Sequence, residues 1–160
     1  MSRTLPAAVV AAALFAAPAV AQDGKYVKLV NPDTGKVLAV ADNSDDAGAR
    51  VVLAKDDGSE GQQWKLEKDG DYYKVVNRKS GKVLDVFEES TEEGGQIIQW
   101  DDKSEGTDNQ RWSWVGGGKE RRLKSKSSGL VLDMDDGKAV QRKADDNAKG
   151  QLWQVVEVKK

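Results

Sequence analysis

The tripeptide Gln-x-Trp occurs three times in this chain, and it is the feature that most limits the possible folds. Its tryptophans, Trp64, Trp112 and Trp153, are separated by 41 to 48 residues. Upstream of each copy, a turn that ends in glycine precedes a short apolar run. These runs are Val37–Val40, Val83–Val86 and Val131–Met134. Repetition of this kind indicates that each repeat is one supersecondary unit, and that the units bury their apolar faces against one another.

The pattern within each repeat predicts strands. Apolar residues recur at every second position in short runs bounded by Gly, Asp, Asn and Ser, which is typical of half-buried strands. No stretch after residue 21 has a sustained helical period. Four short strands fit in each repeat, over approximately residues 26–68, 72–115 and 121–158. We therefore expect one closed, pseudo-threefold all-β domain over residues 22–160, and not a propeller, which typically has about four to eight blades.

Residues 1–21 have the pattern of a secretory signal peptide. Arg3 supplies a positive start, Leu5 to Ala17 is apolar, and the sequence AVA at Ala19–Ala21 suits a cleavage site. The apolar run is too short for a transmembrane helix, so we expect no membrane span. The sequence predicts a secreted protein, extracellular or periplasmic, after cleavage near Ala21.

The composition excludes several classes of function. The chain has 25 basic and 27 acidic residues, and the two signs are interspersed along its whole length, which argues against nucleic acid as a partner. It has no Cys and no His, which removes disulfides, Ser-His-Asp and Cys-His catalysis and the commonest metal ligand. None of its acidic pairs matches the spacing of a calcium-binding loop. We expect no metal and no cofactor.

The three Gln-x-Trp tripeptides, in register with three Gly-x-Val-Leu turns, resemble the ricin-type β-trefoil lectins. The resemblance covers approximately Tyr26 to Val158. It implies a β-trefoil of twelve strands with up to one shallow sugar pocket in each repeat. Their positions predict that the three tryptophans belong to the core. The glutamines are expected to pair with backbone groups of nearby loops, because a buried amide must be hydrogen-bonded. These glutamines are Gln62, Gln110 and Gln151.

The middle repeat alone has the full set of polar and aromatic residues that the resemblance associates with a sugar pocket. Asp85 follows the Leu of VLDV, Trp100 comes fifteen residues later, and Asn109 directly precedes Gln110. The resemblance implies that Asp85 accepts hydrogen bonds from two sugar hydroxyls, that Asn109 offers its amide, and that Trp100 lies flat under the sugar, with Gln110 in support. Taken singly, Asp85 is also compatible with a turn or edge-strand acid, and Asn109 with a loop-supporting role.

The other two repeats lack part of this set. The first repeat has Ala39, Ala54 and Gly61 at the three positions, so all three side chains are missing. The third keeps Asp133 but has Arg142 and Gly150. We expect one working pocket in the middle repeat, with Asp133 as the remnant of a lost one.

Two functions are compatible with these residues. The first is a secreted carbohydrate-binding protein without enzymatic activity, whose ligand is galactose-like or a polysaccharide. Ile98 replaces a Gln that many members of the family carry, which puts the preference for galactose in doubt. The second is a β-trefoil that binds or inhibits another protein. Catalysis is disfavoured because a glycosidase needs a second carboxylate and a protected acid, whereas the pocket of the family is open. The sequence gives no indication of oligomeric state.

Overall fold

The structure is a computed structural model, and it describes residues 24–159. The predicted signal peptide lies outside the described residues. Within them the chain forms twelve strands and five short 3-10 turns, so the all-β prediction is confirmed. The strands are β1 (Tyr26–Val30), β2 (Val37–Val40), β3 (Val51–Ala54), β4 (Trp64–Asp69), β5 (Tyr72–Asn77), β6 (Val83–Val86), β7 (Ile97–Trp100), β8 (Trp112–Val115), β9 (Arg122–Ser125), β10 (Val131–Asp135), β11 (Lys138–Arg142) and β12 (Gln154–Glu157).

Six of the strands form a ring of antiparallel pairs. β1 pairs with β12 and β4, β4 pairs with β5, β5 with β8, and β8 with β9. A bridge between Arg121 and Trp153 closes the ring between the ends of β9 and β12. Closure leaves no unpaired edge in this part of the sheet.

The other six strands form three hairpins, β2–β3, β6–β7 and β10–β11. Single bridges link each hairpin to the next in a cycle. The bridged pairs are Arg50 with Ile98, Gln96 with Val140, and Lys138 with Val52. The hairpins therefore occupy equivalent positions in the three repeats, and they differ in their side chains and in the connection between their strands, which is a short turn in β10–β11.

The tryptophans of the Gln-x-Trp tripeptides lie in the core, as predicted. Trp64, Trp112 and Trp153 are fully buried and pack with aliphatic side chains from the hairpins and the ring. Trp64 donates its indole N–H to Leu38 O at 2.9 Å, and Trp112 donates to Leu84 O at 3.1 Å. Burial of a side chain of this size contributes on the order of 2–3 kcal/mol, so each repeat supplies its own share of the core.

The glutamines of the same tripeptides pair with backbone groups, which confirms their predicted role as scaffold. Each lies at the end of a 3-10 turn, and these turns are Glu60–Gln62, Asp108–Gln110 and Lys149–Gln151. Gln62 donates to Lys55 O at 2.7 Å and accepts a hydrogen bond from the backbone N–H of Asp57 at 2.9 Å. Gln110 and Gln151 make the equivalent pairs in their own repeats. The loop that precedes each tryptophan is thereby fixed to the hairpin.

Five 3-10 turns are the only helical segments within residues 24–159, and no helix there is long and apolar enough to cross a membrane. Two of them, Ala41–Asn43 and Phe87–Glu89, directly follow the first strand of a hairpin and contain residues with positive φ. In the middle repeat these residues are Glu88 (φ 54°) and Glu89 (φ 55°). The left-handed conformation bends the chain sharply at the end of β6.

Candidate functional site

Alternation along β6 places Asp85 on the opposite face from the core. Leu84 and Val86, its neighbours in sequence, are both buried in the core cluster, so the side chain between them points the other way. Across the hairpin Asp85 pairs in register with Ile98. Asp85 is nevertheless only 3% exposed as a residue, and side chains of the adjoining loop contact its carboxylate.

Two amide side chains hold the carboxylate of Asp85. Asn109 donates from Nδ2 to Oδ1 at 3.0 Å, and Gln110 donates from Nε2 to Oδ2 at 2.8 Å. Burial raises the pKa of Asp85 above its ordinary value, while the hydrogen bond from Gln110 and the charge of Lys103 act in the opposite direction. Each carboxylate oxygen has a further lone pair, so the group is fixed in orientation and is able to accept more hydrogen bonds.

Asn109 is committed to the protein. It lies in the turn Asp108–Gln110 and is 2% exposed. Its Nδ2 donates to Val86 O at 3.0 Å as well as to Asp85, so both amide hydrogens have partners within the chain. A contact of Asn109 with a sugar hydroxyl, which the family resemblance implied, stays a prediction. An amide buried beside a carboxylate and a strand carbonyl pairs with them first, and Asn109 thereby orients Asp85.

Trp100 lies at the end of β7, two residues after Ile98 and therefore on the same face of the hairpin. Trp100 is 39% exposed, unlike the three buried tryptophans of the core. The indole and the carboxylate of Asp85 border one open pocket of about 390 Å³. The pocket is lined by Asp85, Phe87, Glu88, Glu89, Ile98, Trp100 and Lys103.

Phe87 is a pocket residue that sequence reasoning missed. It directly follows β6 and is 39% exposed, like Trp100. The equivalent residues of the other repeats are Ala41 and Asp135. A comparison of the three repeats at every position, and not only at the three expected positions, would have found it. The pocket therefore has two exposed aromatic residues among its walls.

Lys103 is a second residue that was missed. Its backbone N–H donates to Gln110 Oε1 at 3.0 Å, the same bond that Asp57 and Asp145 make in the other repeats. Lysine at this position therefore distinguishes the middle repeat. Its ammonium group donates to Glu89 at 2.9 Å and to Asn109 Oδ1 at 3.4 Å. The rim of the pocket thus has a cation that offers hydrogen-bond donors beside the acceptors of Asp85.

The comparisons with known proteins agree with this architecture. The sequence family described as "Ricin-type beta-trefoil lectin domain-like" matches residues 14–100, more than half of the chain. The chain belongs to this family. No curated protein matches it in sequence.

Several solved structures match most of the chain. The designed threefold-symmetric protein ThreeFoil is 35% identical, with a TM-score of 0.77, over 83% of this chain and 99% of its own. The exo-β-1,3-galactanase of Clostridium thermocellum is 40% identical over 86% of this chain and 31% of its own, with a TM-score of 0.76. The Polyporus squamosus lectin, at 23% identity and a TM-score of 0.69 over 84% of this chain and 49% of its own, shares the fold.

The ricin-type scaffold persists in the third repeat, but the surroundings of its acid are different. Asp133 accepts hydrogen bonds from Gln151 at 3.0 Å and from the backbone N–H of Met134 at 2.7 Å. Arg142 stands where the middle repeat has Trp100, and its guanidinium lies 3.9 Å from Asp133 and 3.0 Å from Asp135. The cavity beside Asp133, about 690 Å³, has no aromatic residue in its lining.

In the first repeat a different side chain fills the corresponding space. Asn43 accepts a hydrogen bond from the backbone N–H of Gly61 at 3.0 Å, and a Cβ at Gly61 would come within 2.3 Å of Asn43 Oδ1. A side chain at residue 61 would therefore displace Asn43. Because Ala39 stands at the position of Asp85, the first repeat has neither the acid nor room for the amide.

No metal site is evident in the part of the chain that the structure describes. Residues 24–159 contain no group of three or more His, Cys, Asp or Glu side chains arranged to hold an ion. In the candidate pocket, Asp85 is held by two amides and Lys103 pairs with Glu89.

Proposed function

We propose that this chain is a secreted carbohydrate-binding protein with one sugar pocket, in its middle repeat. Membership of the ricin-type β-trefoil lectin family and similarity to lectin and glycosidase structures support carbohydrate binding in general. The observation that supports the position of the pocket is that the fixed carboxylate of Asp85 and the exposed ring of Trp100 border the same cavity. A carboxylate beside an exposed aromatic ring is a combination suited to a sugar.

The proposed contacts follow from the chemistry of a pyranose. One face of the ring is a patch of C–H bonds with slight positive charge, which suits the negative face of the Trp100 indole. The hydroxyls at its edge donate to Asp85, and Lys103 donates to a hydroxyl oxygen. Phe87 supplies a second apolar wall. Few contacts form on an open site, so a single sugar is expected to bind with a Kd of ~0.1–10 mM.

The ligand that we propose is a galactose-like sugar or a polysaccharide that contains it. Support comes from the 40% identity to part of an enzyme whose name states that it acts on β-1,3-galactan. This chain corresponds to 31% of that enzyme, so its activity is not transferred here. Ile98 gives the pocket an apolar floor opposite Asp85, and no polar side chain from residue 98 selects a hydroxyl.

We propose a binding role without catalysis. A glycosidase requires two carboxylates on either side of the scissile bond. Asp85 is buried and held by two amides, whereas Glu88 and Glu89, the other carboxylates of the pocket, are exposed and Glu89 is paired with Lys103. Among the described residues, the pocket therefore has no second buried carboxylate to pair with Asp85 across a scissile bond.

Export is proposed from the sequence of residues 1–21. It would be tested by expressing the full chain in a bacterium with a general secretion pathway and determining the N-terminus of the exported protein by mass spectrometry. A mature N-terminus at Gln22 supports the proposal, whereas retention of Met1 in a cytoplasmic product contradicts it.

The sugar pocket is tested on a glycan array with the wild type, Asp85→Ala, Trp100→Ala and Asp133→Ala. Loss of signal in the first two variants and its retention in Asp133→Ala supports one site in the middle repeat. Trp100→Ala removes an exposed side chain and therefore tests the site even where Asp85→Ala folds poorly. If the folded wild type bound no glycan at high, clustered density, the proposal would be wrong, and binding to a protein partner would become the leading function.

A further inference from the structure

The side chain of Gln99 joins the middle repeat to a loop of the first repeat. Gln99 precedes Trp100 in β7 and is fully buried. Its Nε2 donates to Ser44 O at 3.0 Å and to Asp46 O at 2.9 Å, and its Oε1 accepts a hydrogen bond from Ser80 Oγ at 2.7 Å. Both amide hydrogens are therefore used to hold the segment 44–48, which we name the first-repeat loop.

Backbone hydrogen bonds bring this loop against the ring of Trp100. Gly48 donates its N–H to Gln99 O at 2.8 Å, and Gln99 donates to Ala49 O at 2.9 Å. Gly48 has a φ of +85°, and a Cβ at this residue would lie 3.4 Å from Cζ3 of Trp100. The backbone of the first-repeat loop thus passes beside the six-membered ring of the indole that borders the pocket, close enough that one added methyl group at residue 48 would touch it.

In the third repeat, Gln141 makes the same set of hydrogen bonds as Gln99, but no aromatic residue of the described chain lies beside them. Gln141 is fully buried, and Gly94 donates its N–H to Gln141 O at 2.8 Å. The residue that follows Gln141 is Arg142, and a Cβ at Gly94 would have nothing within 4 Å. The side-chain partners of Gln141 are Ser90 O (2.9 Å), Glu92 O (2.9 Å) and Ser128 Oγ (2.7 Å).

In the first repeat Leu53 stands at the position of these two glutamines. Its backbone N–H donates to Gly137 O at 2.8 Å, in the short turn between β10 and β11. Because β10 and β11 are joined by this short turn, the third repeat has no long loop at this place, and no loop carbonyls that need a side-chain donor. The amide is therefore present where a loop of the preceding repeat has to be held and absent where that loop is missing.

We propose that Gln99 and Gly48 are positioning residues for sugar binding. They fix the first-repeat loop so that it supports the ring of Trp100 in the orientation that a sugar face requires. This rests on the proposed function of the middle pocket. The first repeat lacks the ligand side chains, but under this proposal its loop supports Trp100 and so contributes to the site.

The test compares two matched substitutions, Gln99→Leu and Gln141→Leu. Leucine is chosen because Leu53 occupies the equivalent place. Both variants lose the same set of hydrogen bonds, so both should lower the Tm by similar amounts, but only Gln99→Leu releases the loop beside Trp100. Binding is titrated by NMR with the tightest of four methyl glycosides, the β-galactoside, β-glucoside, β-xyloside and α-mannoside. The indole N–H resonance of Trp100, assigned with Trp100→Phe, reports the ring directly.

Gln99→Leu is expected to weaken sugar binding roughly fivefold, because ordering a mobile Trp100 side chain costs free energy when the sugar binds. The same mobility should shift or broaden the Trp100 resonance. Gln141→Leu is expected to leave both unchanged. Gly48→Ala and Gly94→Ala form a second pair, since alanine at a φ near +80° strains both loops, but only the Cβ added at residue 48 would contact Trp100. Equal Kd values and an unmoved Trp100 resonance in both members of each pair would overturn the proposal.

If the wild type binds none of the glycosides, that result counts against the proposed function. It does not count against the positioning of Trp100 by the first-repeat loop. In that case the Trp100 resonance decides alone. A shift in Gln99→Leu without a shift in Gln141→Leu establishes that the first-repeat loop positions the ring, and identical spectra refute it.

Discussion

Asp85 and Asp133 occupy equivalent strand positions, yet their carboxylates are held in different orientations. Oδ1 of Asp85 accepts a hydrogen bond from the side chain of Asn109 at 3.0 Å, whereas Oδ1 of Asp133 accepts one from the backbone N–H of Met134 at 2.7 Å. A Cβ at Gly150, the counterpart of Asn109, would come within 2.7 Å of Asp133 Oδ1. The carboxylate of the third repeat has therefore turned into the space that an asparagine would need.

The first prediction concerns this space. Gly150→Asn is expected to destabilise the protein by about 1–3 kcal/mol and to create no sugar site, because the new side chain must displace a buried carboxylate that is already paired. The free energy of unfolding from urea denaturation measures the first effect, and sugar titration of a Trp100→Ala background measures the second. Gly117→Asn is the control, since a Cβ there has nothing within 4 Å. Equal stability of the two variants would contradict the steric argument.

The second prediction separates the two kinds of tryptophan. Trp100→Ala should weaken sugar binding at least about tenfold, because the stacking surface is lost, while changing stability by less than about 1 kcal/mol. Trp112→Phe should leave sugar binding unchanged and destabilise the protein by about 1–3 kcal/mol, since Leu84 O loses the donor that lies 3.1 Å away. Calorimetric titration below the Tm of both variants distinguishes the effects. A large loss of stability in Trp100→Ala would indicate a core role that its exposure argues against.

Much of the fold could be predicted from the sequence because its determinants are local. Alternation along VLDV places Leu84 and Val86 in the core and Asp85 on the other face, and that follows from period two alone. The recurrence of Gln-x-Trp identified buried tryptophans and loop-fixing glutamines without knowledge of the topology. The family resemblance is confirmed by the match over residues 14–100.

The finer contacts of the site could not be predicted, because they depend on residues distant in sequence. The amide of Asn109 turns towards the carbonyl of Val86 only because the turn before β8 packs on the end of β6. The position of Gly48 beside Trp100 brings together residues of different repeats. Phe87 and Lys103 could have been found in part from the sequence, because the aligned repeats have different residues at these two positions. Only the structure shows that both side chains line the pocket.

The third prediction tests the second aromatic wall. Phe87→Ala, which introduces the residue found at Ala41 of the first repeat, should weaken sugar binding about three- to tenfold, because an exposed apolar contact with the sugar is lost. Stability should change little, since the side chain is already 39% exposed. Val156→Ala is the control, as it shortens another exposed apolar side chain that does not line the pocket. Unchanged affinity in Phe87→Ala would remove this residue from the site.

The fourth prediction concerns pH and the raised pKa of Asp85. Because burial raises this pKa in the folded protein above 3.8, the folded state holds the proton more tightly than the unfolded chain does. The contribution of Asp85 to stability is therefore fully present below pH 3.8 and is lost as the pH rises through the folded pKa. Sugar binding has the opposite dependence. It requires the ionised carboxylate as acceptor, so it is complete above the folded pKa and declines as the pH falls through it.

Replacement of Lys103 should move this decline. Its positive charge lowers the pKa of Asp85, so Lys103→Gln is expected to raise that pKa further and to shift the loss of sugar binding to higher pH. The Kd is measured by NMR titration at intervals from about pH 3 to pH 8, a range that spans ordinary carboxyl values. Lys36→Gln, outside the pocket, is the control and should leave the midpoint in place. A midpoint at or below pH 3.8, or one that Lys103→Gln does not move, would mean that ionisation of Asp85 does not govern binding.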